Sequence, residues 1–181
     1  MSICLGAALP TTNPPEIYVV CSVSEKQCSP HGRWINATQP FKDIAKQIEE
    51  MLKESSVPNA GIFIIKDCRG FGSFKVDKCE DLNRVRLKAL LISAYGELGP
   101  RLADYYNGDL EEVIDALRSR YVGVYGSALE YATTLFETHY LPNVPAEIQS
   151  CIDCRQFQRE IFSRDYFSIR IDGSSHIFIH H

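Results

Sequence analysis

A chain of 181 residues is long enough for one ordinary domain or for two to three small ones. Apolar residues at 45% and charged residues at 23% give the balance of a folded globular protein and exclude a disordered chain. With 23 Asp and Glu against 19 Lys and Arg, the chain lacks the basic surplus of a nucleic-acid binder, and no segment approaches the ~20 apolar residues that span a bilayer.

Residues 1–14 read as an irregular lead-in, crowded at its end by Pro10, Pro14 and Pro15. The first ten residues lack a basic start and an unbroken apolar run, and the seven cysteines are irregularly spaced. Reduced thiols in a cytoplasmic protein are therefore expected. Ile17 to Val23 is rich in β-formers and predicts a strand; Ser29-Pro30 predicts a turn, and Arg33 to Ala37 a second strand of a hairpin. After Pro40, the residues Phe41, Ile44, Ile48, Met51 and Leu52 recur at helical spacing. Pro58-Asn-Ala-Gly61 ends that helix, and Gly61 to Lys66 reads as a buried strand. A small sheet covered by one helix follows for the first ~75 residues.

The middle of the chain is helical in pattern. Asp81 caps a helix carrying Leu82, Val85, Leu90 and Ile92, which ends near Gly96. Glu97 to Tyr106 offers a short helix opened by Pro100, and Asp109 caps another with Leu110, Val113, Ile114 and Leu117 facing inward. Three helices on short loops predict a small bundle. From Arg120 the pattern mixes again. Tyr121 to Tyr125 predicts a strand, Ser127 caps a helix with Leu129, Ala132, Leu135 and Phe136, and Asp153 to Phe162 predicts a further helix. Tyr166 to Ile171 and His176 to His180 form a hairpin around Asp172-Gly173.

Motifs for chemistry are weak. Cys151-Ile-Asp-Cys154 is a C-x-x-C outside the strand-helix setting of a redox pair, so two small residues packing a helix start are expected. Cys21, Cys28, His31, Cys151 and Cys154 are candidate zinc ligands, and Cys28-x-x-His31 and Cys151-x-x-Cys154 have knuckle-like spacing, but nothing in the sequence shows that they meet. Gly70-Phe-Gly72 lacks the ending of a phosphate loop, and no nucleophile–histidine pair is spaced for catalysis. No catalytic residue, metal ligand or cofactor is predicted. Charge placement is more informative. Glu97, Asp104, Asp109, Glu111, Glu112 and Asp115 lie in one stretch that only Arg101 offsets. Residues three or four apart on a helix are neighbours, so Glu111 with Asp115, and Glu112 with Asp109, can line one surface. A solvated helix face has the same composition.

The chain resembles the ArdA family of antirestriction proteins at several points in order. Pro15-Glu-Ile-Tyr-Val-Val20 and His31-Gly-Arg-Trp-Ile-Asn-Ala-Thr38 are similar to the family's opening, and Lys66-Asp-Cys-Arg-Gly70-Phe71 follows its third strand. Gly96-Glu-Leu-Gly99 and Gly108-Asp-Leu-Glu-Glu112 resemble its helical middle. Tyr121 to Tyr125, Glu130-Tyr-Ala132 and Phe136-Glu-Thr138 resemble its antirestriction motif, and His176-Ile-Phe178 its C-terminal part. This chain departs from the family at Cys151 to Cys154 and Gln158 to Ile161, and is less acidic than a typical member.

The resemblance implies an α+β fold of three small domains in a row: an α+β part at 15–77, a helical part at 78–119 and an α+β part at 120–181. It implies an elongated molecule whose third domain forms a homodimer, with Tyr121, Val122, Val124, Tyr125 and Leu129 as candidate interface; packing within that domain's own core is the alternative for each. It implies a non-enzymatic DNA mimic, carried on mobile elements, that fills the DNA groove of type I restriction–modification enzymes and binds neither nucleic acid nor membrane itself. The candidate mimic carboxylates are Glu97, Asp104, Asp109, Glu111, Glu112, Asp115, Glu130 and Glu137. The alternatives are an ArdA-fold interaction module with weakened mimicry, and a zinc or thiol protein. The basic run Lys75, Lys78, Arg84, Arg86 and Lys88 must point away from any mimic surface, and the small net charge predicts weaker inhibition than an acidic relative gives.

Overall fold

The computed structural model describes residues 13–26, 31–55, 61–149 and 151–180. The lead-in up to residue 12, the turn at Ser29-Pro30, most of the Pro58 stop signal, Cys4 and Cys28 lie outside the described residues. The fold is mixed α and β, and the chain divides into two compact units, residues 1–107 and 108–181.

The first unit is built on β1 (Glu16–Cys21), the central strand of a three-stranded antiparallel sheet. It pairs with β2 (Gly32–Asn36) on one side and β3 (Phe63–Arg69) on the other. Ile17, Val19, Val20 and Cys21 are fully buried, while Glu16 and Tyr18 of the same strand are half-buried. The strand stops at Cys21, short of the expected Val23. There α1 (Ser22–Lys26) begins, and buried Ser24 Oγ donates to the Cys21 carbonyl at 3.0 Å. This local side-chain bond competes with the strand ladder. Helix α2 (Phe41–Lys53) buries Ile44, Ile48 and Met51 and packs on β1 and β2, while Phe41 in its first turn stays exposed.

The expectation of a buried third strand is corrected. Within β3 only Ile65 is buried, because the strand lies at the sheet edge and has one strand neighbour. Its register shifts beside Lys66, and the Ile65 N–H donates to the Lys78 carbonyl at 2.9 Å, so the loop before the next helix shields part of the edge. Helix α3 (Leu82–Tyr95) starts where Asp81 accepts from the Asn83 and Arg84 N–H groups, and stops at Gly96, whose φ of 56° suits a residue without Cβ. Helix α4 (Leu98–Tyr105) begins two residues before Pro100, which occupies its first turn. Leu91, Ile92, Leu98 and Leu102 are buried where α3 and α4 pack.

In the second unit, α5 (Leu110–Asp115) continues into a π-helical turn at Ala116–Arg120 and then β4 (Tyr121–Tyr125). Helix α6 (Ala128–Leu135) runs into a second π-helical turn at Phe136–Tyr140. A short α7 (Ala146–Gln149) and α8 (Cys154–Arg164) lead to β5 (Tyr166–Ile171) and β6 (Ser174–Ile179). The antiparallel sheet has the order β4-β6-β5. Asp172 at φ 48° and Gly173 at φ 83° both adopt the left-handed conformation that a two-residue I′ hairpin needs. Tyr131, Ala132, Ile161 and Ile177 form the centre of a core that joins α6 and α8 to one face of this sheet. No helix among the described residues is long and apolar enough to cross a membrane.

Core burial sets a simple contrast. Replacing fully buried Ile17 by alanine should cost about 2–5 kcal/mol in denaturant unfolding. The same change at Ile62, which is 68% exposed, should cost less than about 0.5 kcal/mol. Equal effects would contradict the placement of β1 at the centre of the sheet.

Candidate functional site

The eight candidate carboxylates fall into distinct environments. Glu97 and Asp104 belong to the first unit, at the start and near the end of α4, and both are exposed. Asp104 Oδ2 accepts from Ser73 Oγ at 3.1 Å. The other six lie in the second unit. Asp109 caps α5, accepting from the N–H groups of Glu111 at 2.9 Å and Glu112 at 3.2 Å. Glu111 is exposed in the first turn, where the helix dipole favours an acid. Glu130 closes a reciprocal cap: its N–H donates to Ser127 Oγ, and its carboxylate accepts from the Gly126 N–H at 2.9 Å. Glu137 is exposed in the second π-helical turn.

Glu112 and Asp115 differ from the rest. Both hold Arg120, whose side chain is 8% exposed at the end of the first π-helical turn. One guanidinium nitrogen donates to the Glu112 carboxylate at 2.7 Å and to the Glu112 carbonyl at 3.2 Å. The Nε lies 3.0 Å from Asp115 Oδ2. Arg101 is thus not the sole offset to the acidic stretch. Arg120 lies beyond the stretch in sequence, and the π-helical turn brings it back onto α5.

Cations are distributed unevenly. Residues 1–107 hold 12 Asp and Glu against 13 Lys and Arg, whereas residues 108–181 hold 11 against 6 Arg and no Lys. In the first unit, part of the basic run is internally engaged. Lys88 is buried against Glu80, Arg86 Nε donates to the Gln39 carbonyl at 2.7 Å, and Arg84 lies 3.7 Å from Glu80. Among the described residues of the second unit, the ion pairs are those of Arg120.

The five candidate interface residues do not share one face. In β4, Tyr121 opposes Phe178 and Val124 opposes His176, on the side away from the α6–α8 core. The Tyr121 hydroxyl lies 3.0 Å from His176 Nδ1, and burial holds the Tyr121 phenol above its ordinary range and the His176 imidazole below its own. Tyr125 lies on the opposite side with its ring 5.0 Å from Tyr131, and Leu129 is half-buried on α6. Burial comes first, followed by the Tyr131–Tyr166 hydrogen bond, in pushing the Tyr131 phenol upward. Strand β4 forms a sheet edge with a bulge at Val122, and Val122 and Val124 are 37% and 53% exposed.

Cys151 is exposed rather than packed, because it sits in a turn after α7 with its N–H on the Ile148 carbonyl. Cys154 is half-buried at the first position of α8, which Asp153 caps. No group of three or more His, Cys, Asp and Glu among the described residues is arranged to hold a metal ion.

A family model described as antirestriction protein ArdA matches residues 17–174 of this chain. No curated protein matches it.

The Arg120 cluster has a measurable role in folding. Arg120→Met should lower stability by about 1–3 kcal/mol, through loss of charge-assisted bonds around a buried group. Arg120→Lys should recover only part of it, because an ammonium lacks the planar fork that reaches both carboxylates. Denaturant midpoints unchanged in both variants would contradict this role.

Proposed function

This chain belongs to the ArdA antirestriction protein family, and from that premise we propose that it inhibits type I restriction–modification enzymes by filling their DNA-binding groove as a protein decoy. The observation that supports this reading is the partition of charge: the anionic surplus of the whole chain resides in residues 108–181. Phosphate neutralisation supplies most sequence-independent affinity of a DNA-binding groove, so a decoy needs carboxylates and not base edges. Occupying the groove requires no catalytic group.

Within this reading, exposed Asp109, Glu111, Glu130 and Glu137 stand in for phosphates. Glu112 and Asp115 support the surface by anchoring Arg120, and Glu97 and Asp104 contribute less because cations balance acids in their unit. That balance also favours a second reading, an interaction module of the ArdA fold in which only the second unit meets a basic partner. A finer division into parts at 15–77, 78–119 and 120–181 belongs to the same proposal. So does a homodimer through the β4 edge, where exposed Val122 and Val124 leave an apolar edge strand that a second copy would cover.

Protection of DNA from a purified type I enzyme tests the decoy. Glu111→Lys with Glu137→Lys should weaken protection roughly tenfold at low salt, while Lys42→Glu in the first unit should leave it unchanged or improved. Equal effects of the two sets would remove the second unit as the contact surface. Sedimentation at micromolar concentration tests assembly: the wild type should run as a dimer and Val124→Glu as a monomer. A monomeric wild type would end the dimer proposal.

A further inference from the structure

A cleft of about 440 Å³ opens in the first unit. One wall is the turn of Gly70, Gly72 and Ser73 that follows β3; Ile92 and Gly96 close the end of α3, and the first turns of α4 supply Glu97, Pro100 and Arg101. We propose that this cleft binds a zwitterionic α-amino acid with an apolar side chain.

The shape follows from the residues. Ile92 and Pro100 are buried and give an apolar floor. Gly70, Gly72 and Gly96 have φ of 75°, 56° and 56°, which side chains rarely adopt. A Cβ on Gly72 would stand 3.3 Å from Pro100 Cγ and narrow the opening. Ser73 is fixed by its bond to Asp104 and keeps its lone pairs for accepting. The volume falls within the range of small-molecule sites.

The charges select the ligand. Glu97 and Arg101 are one helical turn apart on the same rim, and both are exposed. Neither is in an ion pair among the described residues. Asp104, held by Ser73, adds a second carboxylate beside the cleft, so an anion meets two like charges there and a cation meets Arg101. A zwitterion satisfies both signs, with its ammonium on Glu97 and its carboxylate on the fork of Arg101. The side chain then rests on Ile92 and Pro100.

Titration of ¹⁵N-labelled protein with L-leucine tests this. Saturable shifts should be confined to residues 70–73, 92 and 96–101, with a dissociation constant on the order of millimolar or tighter. L-Leucinamide lacks the carboxylate charge and N-acetyl-L-leucine the ammonium charge, so each should bind at least about tenfold more weakly. Glu97→Gln and Arg101→Gln should each remove the shifts while the remaining spectrum stays that of the folded protein. The proposal is overturned if no local shift appears up to about 20 mM, or if the blocked analogues bind as well as leucine. The readout is binding and not DNA protection, so it stands or falls independently of the decoy.

Discussion

A carboxylate already paired with a guanidinium cannot stand in for a phosphate, and this constraint sorts the acids of the chain. Glu112 and Asp115 close on buried Arg120 and are spent within the second unit. In the first unit, Glu16 faces Arg69, Glu50 and Glu54 face Arg33, and Glu80 faces Lys88. The surplus of acids over cations lies in residues 108–181, where lysine is absent and 6 arginines face 11 acids. A near-neutral protein can therefore present an anionic surface without the net charge of DNA, provided that its cations are gathered elsewhere in the chain.

Arg120 also connects that surface to the fold. It ends the π-helical turn between α5 and β4, so the acids of α5 are tied to the segment that enters the sheet. The sheet has one face committed to α6 and α8 and a bulged edge at β4 that shows Val122 and Val124. Edge strands with apolar side chains and open backbone groups invite pairing with another chain. The two features draw on different physics, charge at α5 and apolar exposure at β4, so the proposed decoy surface and the proposed dimer contact rest on separate observations.

Much of the architecture was legible in the sequence because local chemistry and packing agree there. Asp81, Asp109 and Ser127 cap the helices that their positions announce, Asp153 caps the helix expected to begin at it, and Asp172-Gly173 makes the expected hairpin turn. The failures have specific causes. Ser24 ends β1 early through a side-chain bond that hydrophobic pattern does not register. The apolar run Ile62 to Ile65 reads as buried because pattern cannot tell a central strand from an edge. The candidate surface was legible only in part. Acid spacing marked α5, but the role of Arg120 depends on a π-helical turn, and Tyr121 and Tyr125 separate onto opposite sides of a bulged strand whose bulge no residue pattern signals.

The central claim is electrostatic: free carboxylates of the second unit replace phosphates in a basic groove. The most direct test is the equilibrium affinity of this protein for a purified type I restriction–modification enzyme between about 50 and about 200 mM salt. Affinity should fall steeply as salt rises, in the same sense as DNA binding to that enzyme. An affinity that stays level across that range would contradict it.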